Sequence, residues 1–491
     1  MPEDSQDRFI VWFECADLDP ALFRVVRMEG REEISRPFEL CVRVSIRDGV
    51  PLLASDIDTL LRAKATLSFG PHREHPIHGV VRSVRLLHIA DQPADYELRV
   101  VPRLTDAALT RGSWIHLEKA LPEILTAAFA LGGDAALKDG DDFELQLDVE
   151  YPPLEYVVQY EESLFQFISR QAEHFGVFYF FDHLGEREKV VFGDTNNVFP
   201  KLEGFEEIAF ESRSGATLSE AVQSLALEQH VVEHRVSLRD YNYRIPSVEL
   251  VTALAGVDPA GIGDVHVTGD HFATPQHGDA IAMLRSQEMY AQRRRVQAQT
   301  TVRGLRAGHR FTLTGAEPDA YGLGGEYVVI AVEHHFAASE GDASREYWNE
   351  LTLQPYDVAF RPARITPKPR IAGVVHAKID SEADDDEVHV PVDDWGRYKV
   401  VMPFDVAGKK GGKSSCWIRI ATAAGGSGWG FAQGLHVNSE VLIFHIDGDP
   451  DRPVIAGAVM NFEQPAVIRK ENANQLVMSS RKGLQIRLSD A

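Results

Sequence analysis

The sequence predicts a mainly β protein with minor helix, and three observations carry that prediction. Short segments that alternate apolar and polar residues recur along almost the whole chain, the pattern of strands with one buried face. Helical signals are confined to windows near 121–131, 163–176 and 278–295. A proline-rich basic stretch at 361–370 separates a long first region from a shorter second one dense in strands.

With 491 residues the chain exceeds one ordinary core, so roughly two to four domains are expected. A hydrophobic content of 44% and a charged content of 25% are those of a folded protein, not a disordered one. The formal net charge of -24 argues against nucleic acid as a main partner, because a polyanion would be repelled. Cys15, Cys41 and Cys416 are few, odd in number and far apart, which implies reduced thiols in a cytosolic setting. The N-terminal MPEDSQDRFIVWF has neither a basic start nor a long apolar core, so no signal peptide is read there. No apolar run approaches the ~18 residues of a membrane-spanning helix.

Taken in order, RFIVWFECAD, FRVVRMEGREEISRPFELCVRV and ATLSFGPHREHPIHGVVRSVRLL read as strands and turns over about 8–110. A helix is expected at 121–131, with Pro122 in its first turn, where a missing N–H costs nothing. Ser163 and Gln166 have capping-box spacing ahead of a helix over about 164–175. Its Leu164, Phe165, Ile168, Ala172 and Phe175 are expected on one buried face, with Gly176 closing the end. The apolar Val177–Phe181 then reads as a buried strand against which that helix packs. Further strands are expected in 222–245, 264–272 and 300–336, with a polar helix across 278–295. Three prolines and four basic residues within 361–370 form a stiff, extended connector, and a domain boundary is placed there. Residues 371–462 hold AGVVHAKI, VHVPV, RYKVVMP, CWIRIA, EVLIFHI and PVIAGAVM, whose number and length suggest a barrel of the oligonucleotide/oligosaccharide-binding (OB) type.

Four features could carry chemistry, and each reads better as structure. Ala407–Ser415, AGKKGGKSS, resembles a phosphate-binding loop, but such a loop must enter a helix. The following Cys416–Ala421 alternates as a strand, so the segment reads as a mobile basic loop between strands. His72, His75 and His78 lie among prolines; His230 and His234 sit in strand-like sequence; adjacent His334 and His335 should face opposite ways. None has the company of a zinc site. Gly425-Gly426-Ser427-Gly428-Trp429 lacks the last glycine of a nucleophile elbow. The run Glu382–Glu387 lacks the alternating ligands of a calcium loop. No catalytic, cofactor-binding or metal-binding residues are assigned, and no enzyme activity is expected.

Several motifs together resemble VgrG proteins, the spikes of type VI secretion systems. Asp394–Asp405, DWGRYKVVMPFD, is similar to a characteristic segment of that family, with Trp395 where tyrosine is common and Met402-Pro403-Phe404 in place of Phe-Pro-Trp. Gly448–Gly457, GDPDRPVIAG, is similar to its most recognisable phrase. Upstream, SRPFELCVRV (35–44), HGVVRSV (78–84), YVVQYEESLFQFISRQAEHFGVFYFF (156–181), SLRDYNY (237–243), GHRFTLTG (308–315) and GGEYVVIAVEH (324–334) fall in family order.

The resemblance implies a phage baseplate hub-like region over 1–365 with two barrel-like subdomains, an OB tail-spike barrel over 371–462, and the start of a trimeric β-helical needle over 473–491. It implies a homotrimer that caps a tube of hexameric rings, meets baseplate proteins, carries a tip protein and effectors, and contacts a target membrane transiently. Such a protein is cytoplasmic until it is fired out by the contractile machine. A spike of a related phage or extracellular injection particle, or an effector enzyme on a spike scaffold, are the alternatives. In 473–491, Leu476 with Met478, and Leu484 with Ile486 and Leu488, alternate around a turn at Arg481–Gly483. Family members usually continue further, so a shortened or unusually blunt needle is expected.

Overall fold

The computed structural model describes residues 11–15, 18–46, 51–88, 95–212, 220–251, 255–338, 345–382 and 390–489. They form two compact units, and the architecture is mainly β, as the alternation predicts.

The first unit comprises 1–110, 125–150 and 164–367. Its frame is a twelve-stranded sheet. The path runs Val11–Cys15, Lys64–Phe69, Glu74–His88, Asp95–Val101, Arg36–Ile46, Phe23–Glu33, Gly325–Ala338, Arg345–Pro355, Arg294–Thr300 and Val222–Gln229. Strand Arg310–Thr314 joins it through Gly325–Ala338 and is paired in turn by Glu207–Ala209. The alternating SRPFELCVRV stretch becomes a strand with Phe38, Leu40, Val42 and Val44 all fully buried. A smaller sheet, Phe178–Asp182, Lys189–Gly193 and Phe143–Gln146, carries the apolar run foreseen at 177–181. Gly308 has φ 83, and a Cβ there would sit 2.3 Å from the Phe180 ring, so both backbone conformation and space require glycine.

Helix Leu164–His174 matches the expected 164–175 closely, but its buried face is different. Leu164, Phe167, Ile168 and Ala172 are buried, whereas Phe165 and Phe175 are half-buried. The helix packs on the 3-10 turn Arg103–Ala108. The polar helix begins earlier than expected, at Pro275–Tyr290. Thr274 is its N-cap, its side chain accepting from the His277 amide at 3.2 Å.

The connector differs from a free stiff spacer. Glu173 accepts from the amides of Ile365 (3.1 Å) and Thr366 (2.8 Å) and from the Thr366 hydroxyl (2.8 Å). Arg361 donates to Gln287 Oε1 at 2.8 Å, and Arg364 pairs with Glu288 at 3.0 Å. Residues 361–366 are therefore stitched into the first unit by a buried carboxylate and two arginines. In the second unit, Lys368 pairs with Asp449 and Asp451 at 2.7 Å each.

The second unit is discontinuous: 111–124, 151–163 and 368–491. A single cut at the connector does not describe it. The antiparallel pair Arg111–Lys119 and Leu154–Ser163 sends Ile115, Tyr156 and Val158 into one core with Ala377, Ile379, Tyr398, Val400, Ile443 and Ile455. The sheet here runs Lys399–Val401, Val374–Asp380, Glu440–His445, Pro453–Ala458. Short strands after 371 do not cover this core by themselves, and the earlier hairpin supplies the missing apolar faces. Its Tyr156 phenol is pushed well above the usual range by burial.

Candidate functional site

The loop AGKKGGKSS is settled by its surroundings. Ser415 Oγ accepts from the Val400 amide at 2.9 Å and donates to the Cys416 carbonyl at 2.8 Å. Ser414 Oγ accepts from the Met402 amide at 3.3 Å, and the Gly412 amide donates to Asp380 at 2.8 Å. Both serines are buried, and their hydroxyls stand in for a neighbouring strand beside Lys399–Val401. The chain after Ser415 is extended, with bridges Tyr398↔Ile418 and Ile420↔Ile455, and forms no helix whose amides could hold a phosphate. Lys409, Lys410 and Lys413 are exposed. The expectation of a mobile loop is thus corrected for 412–415, which are anchored.

Ser427 and Gly428 form the two-residue turn of a hairpin, Ala424–Gly426 with Trp429–Phe431, instead of a strand-to-helix elbow. Of the acidic run, Glu382 pairs with Lys399, while 383–387 lie outside the described residues. His334 and His335 do face opposite ways: His334 is fully buried, and His335 stacks on Trp348 with centroids 3.9 Å apart. His234 Nδ1 lies 3.0 Å from the Asp258 carbonyl, and His75 packs on the Phe205 ring at 5.4 Å.

What the second unit presents is an apolar surface. Asp393 builds a tight turn, accepting from the amides of Trp395 (3.0 Å) and Arg397 (2.8 Å) and from Arg397 Nε (2.7 Å). Burial works to raise the Asp393 carboxyl, but these amides and the guanidinium together hold it below the usual range. The rigid turn holds Trp395 outward at 84% exposure. Trp429, Phe431, Met460 and Phe462 are exposed as well. The last hairpin, Gln475–Ser479 with Gln485–Ser489, sets Leu476 opposite Leu488 and Met478 opposite Ile486. These four share one face and remain 62%, 60%, 45% and 57% exposed. The alternation in the sequence foretells this ladder. The outward Trp395 it does not, because exposure depends on the Asp393 turn.

The second unit holds an open four-stranded sheet where the sequence suggests a closed barrel, and with the β-rich first unit its architecture is that of phage-tail hub and spike proteins. The phage tail baseplate hub (GPD) family matches residues 31–340, and this chain belongs to it. The type VI secretion system/phage-baseplate injector OB domain matches residues 391–459. The type VI secretion system spike protein VgrG1a of Pseudomonas aeruginosa is 29% identical over 96% of this chain and 73% of its own length. VgrG1b of the same organism is 28% identical over 94% of this chain, which spans 62% of that relative's length. A relative named actin cross-linking toxin VgrG1, from Vibrio cholerae, is 25% identical, with 34% of its length matched. Among solved structures, the E. coli c3393 protein, described as a component of the type VI secretion system, superposes with TM-score 0.66 at 22% identity, covering 91% of this chain and 99% of that one. A Francisella PdpA–VgrG complex gives TM-score 0.61 at 9% identity, covering 98% and 82%. These likenesses confirm the fold. Among the described residues, no helix is long and apolar enough to cross a membrane.

Proposed function

We propose that this chain is the hub and spike base of a type VI secretion machine and works as a homotrimer. It would cap the hexameric inner tube, meet baseplate proteins, carry a tip protein and effectors, and be expelled from the cytoplasm to breach a target envelope. The work is mechanical and driven by contraction, so the described residues act as scaffold and not as catalyst. The hub-family match over 31–340 and the injector OB match over 391–459 support the same reading.

The uncovered ladder of the last hairpin carries the proposal. A two-stranded ribbon is at best marginal alone. With Leu476, Met478, Ile486 and Leu488 facing out, this one buries its apolar face only against stacked neighbours or other chains. Copies related by a three-fold axis provide that cover symmetrically, and an obligate interface of more than about 2,000 Å² is expected. Light scattering at micromolar concentration should report three chains, and electron microscopy a three-fold ring with a stalk. A stable monomer with 475–489 packed back on its own unit would overturn the reading.

A further inference from the structure

The first unit encloses a cluster of ionisable groups that an assembly role leaves unused. Arg306, on the segment between strands Arg294–Thr300 and Arg310–Thr314, is buried with its Nε 3.8 Å from Glu32 of strand Phe23–Glu33. Its guanidinium lies over the Phe69 ring at 5.5 Å and donates to the Leu305 carbonyl at 2.7 Å and to that of His75. From strand Gly325–Ala338, His334 Nε2 donates to Glu32 at 2.7 Å. His334 Nδ1 accepts from the Tyr347 hydroxyl at 2.8 Å, and that oxygen accepts from Asn349 at 3.1 Å. This chain of donors and acceptors is complete only when His334 is uncharged.

The remaining elements around the pair add more imidazoles. Strand Glu74–His88 contributes His75 and His78, the turn after Phe178–Asp182 contributes His183, and His309 follows Arg306. The other titratable or charged groups acting on this region are His335, beside His334 on the same strand, Asp182, on the His309 side, and Arg303, which is held by Glu220 at 2.8 Å and Glu74 at 3.8 Å. His78 Nε2, His183 Nε2 and His309 Nδ1 are buried without a hydrogen-bond partner among the described residues. A proton on any of them would place a second cation beside Arg306, whose charge already opposes it.

We propose that this cluster is a proton-sensitive latch: uncharged imidazoles let strands 23–33 and 325–338 close around Arg306 and Glu32 at neutral pH, and below about pH 5 proton uptake opens the first unit before the second. The sign follows from burial. Burial lowers His183 from 6.5 to about 3, and it also lowers His75, His78, His309 and His334. Each therefore binds its proton more tightly once the unit opens. The stability they contribute is complete above 6.5 and is lost as pH falls from there toward the folded values. At Glu32, burial works to raise the carboxyl, but the His334 hydrogen bond and the Arg306 charge hold it at about 2, so its share is lost below 4.5 in the same direction. In the second unit, burial likewise lowers His445, to about 4, while the nearby Asp449 and Asp451 charges work to raise it.

The test is denaturant unfolding of the full chain from pH 7.5 to 4.5. The slope of the unfolding constant with pH should show about two or more protons taken up per chain on opening the first unit. The double variant His183→Gln/His309→Gln should reduce that uptake by about two protons and move the acid midpoint down by roughly half a pH unit or more. An unchanged slope in the variant, or uptake below about one proton in the native chain, would refute the latch. Should the variant not fold, hydrogen exchange on the native chain decides. After correction for intrinsic rates, amides of 325–338 should lose at least about tenfold more protection between pH 7 and pH 5 than those of 440–445, where His445 alone takes up a proton. Equal loss in both units would refute it as well.

Discussion

Along strands 36–46 and 325–338 of the first unit, the inward side chains Phe38, Leu40, Val42, Val44, Val332 and Phe336 end essentially without exposure. From Trp429 to Leu488 in the second unit, large apolar side chains repeatedly face solvent. Both regions have the same period-two alternation. They differ in what lies across from the apolar face: the first unit has other strands of its own chain there, and among the described residues nothing covers the last hairpin of the second unit. An amphipathic strand therefore records that a face will be buried without saying by which chain.

The largest single-residue effect is expected on the closed side. Ile168 is 1% exposed at the middle of its helix, and Ile168→Ala should cost about 2–5 kcal/mol in denaturant unfolding of the first unit. A change near zero would mean that this helix is not a core element. A smaller effect belongs to the anchored loop. Ser415→Ala removes the acceptor of a buried amide at Val400, and a loss of about 1–3 kcal/mol is expected, with no change in nucleotide binding. Micromolar ATP affinity lost on Lys413→Ala would contradict that account. The smallest folding effect should come from the exposed ladder. Leu488→Ser should alter single-chain stability by under about 0.5 kcal/mol. If the ladder is an interface, the same substitution should shift the population from three chains to one in sedimentation. A folding cost like that of Ile168→Ala would show that the hairpin is covered within its own chain, erasing the contrast between the two units.

Much of the strand content was legible because its determinants are local: alternation along 36–46, 440–445 and 475–489, and glycine or proline at the turns. The absence of a helix after Ser415 was equally local, since Cys416, Ile418 and Ile420 cannot form a helical stripe. The ladder of the final hairpin was readable for the same reason. The identity of the buried face of helix Leu164–His174 was not. Phe165 and Phe167 are equally apolar, and it is Phe167 that ends fully buried.

Long-range partnership was wholly a product of tertiary structure. Nothing in the sequence near 111–119 or 154–163 says that Ile115, Tyr156 and Val158 complete a core with strands more than two hundred residues later. Glu32 and His334 are 302 positions apart, and His183 and Arg306 become neighbours only when their strands and turns converge. Alternation and turn chemistry act over a few residues and so are written in the sequence. Core completion, charge pairing and the choice of cover depend on which surfaces meet, and that is decided when the chain folds and when copies of it associate.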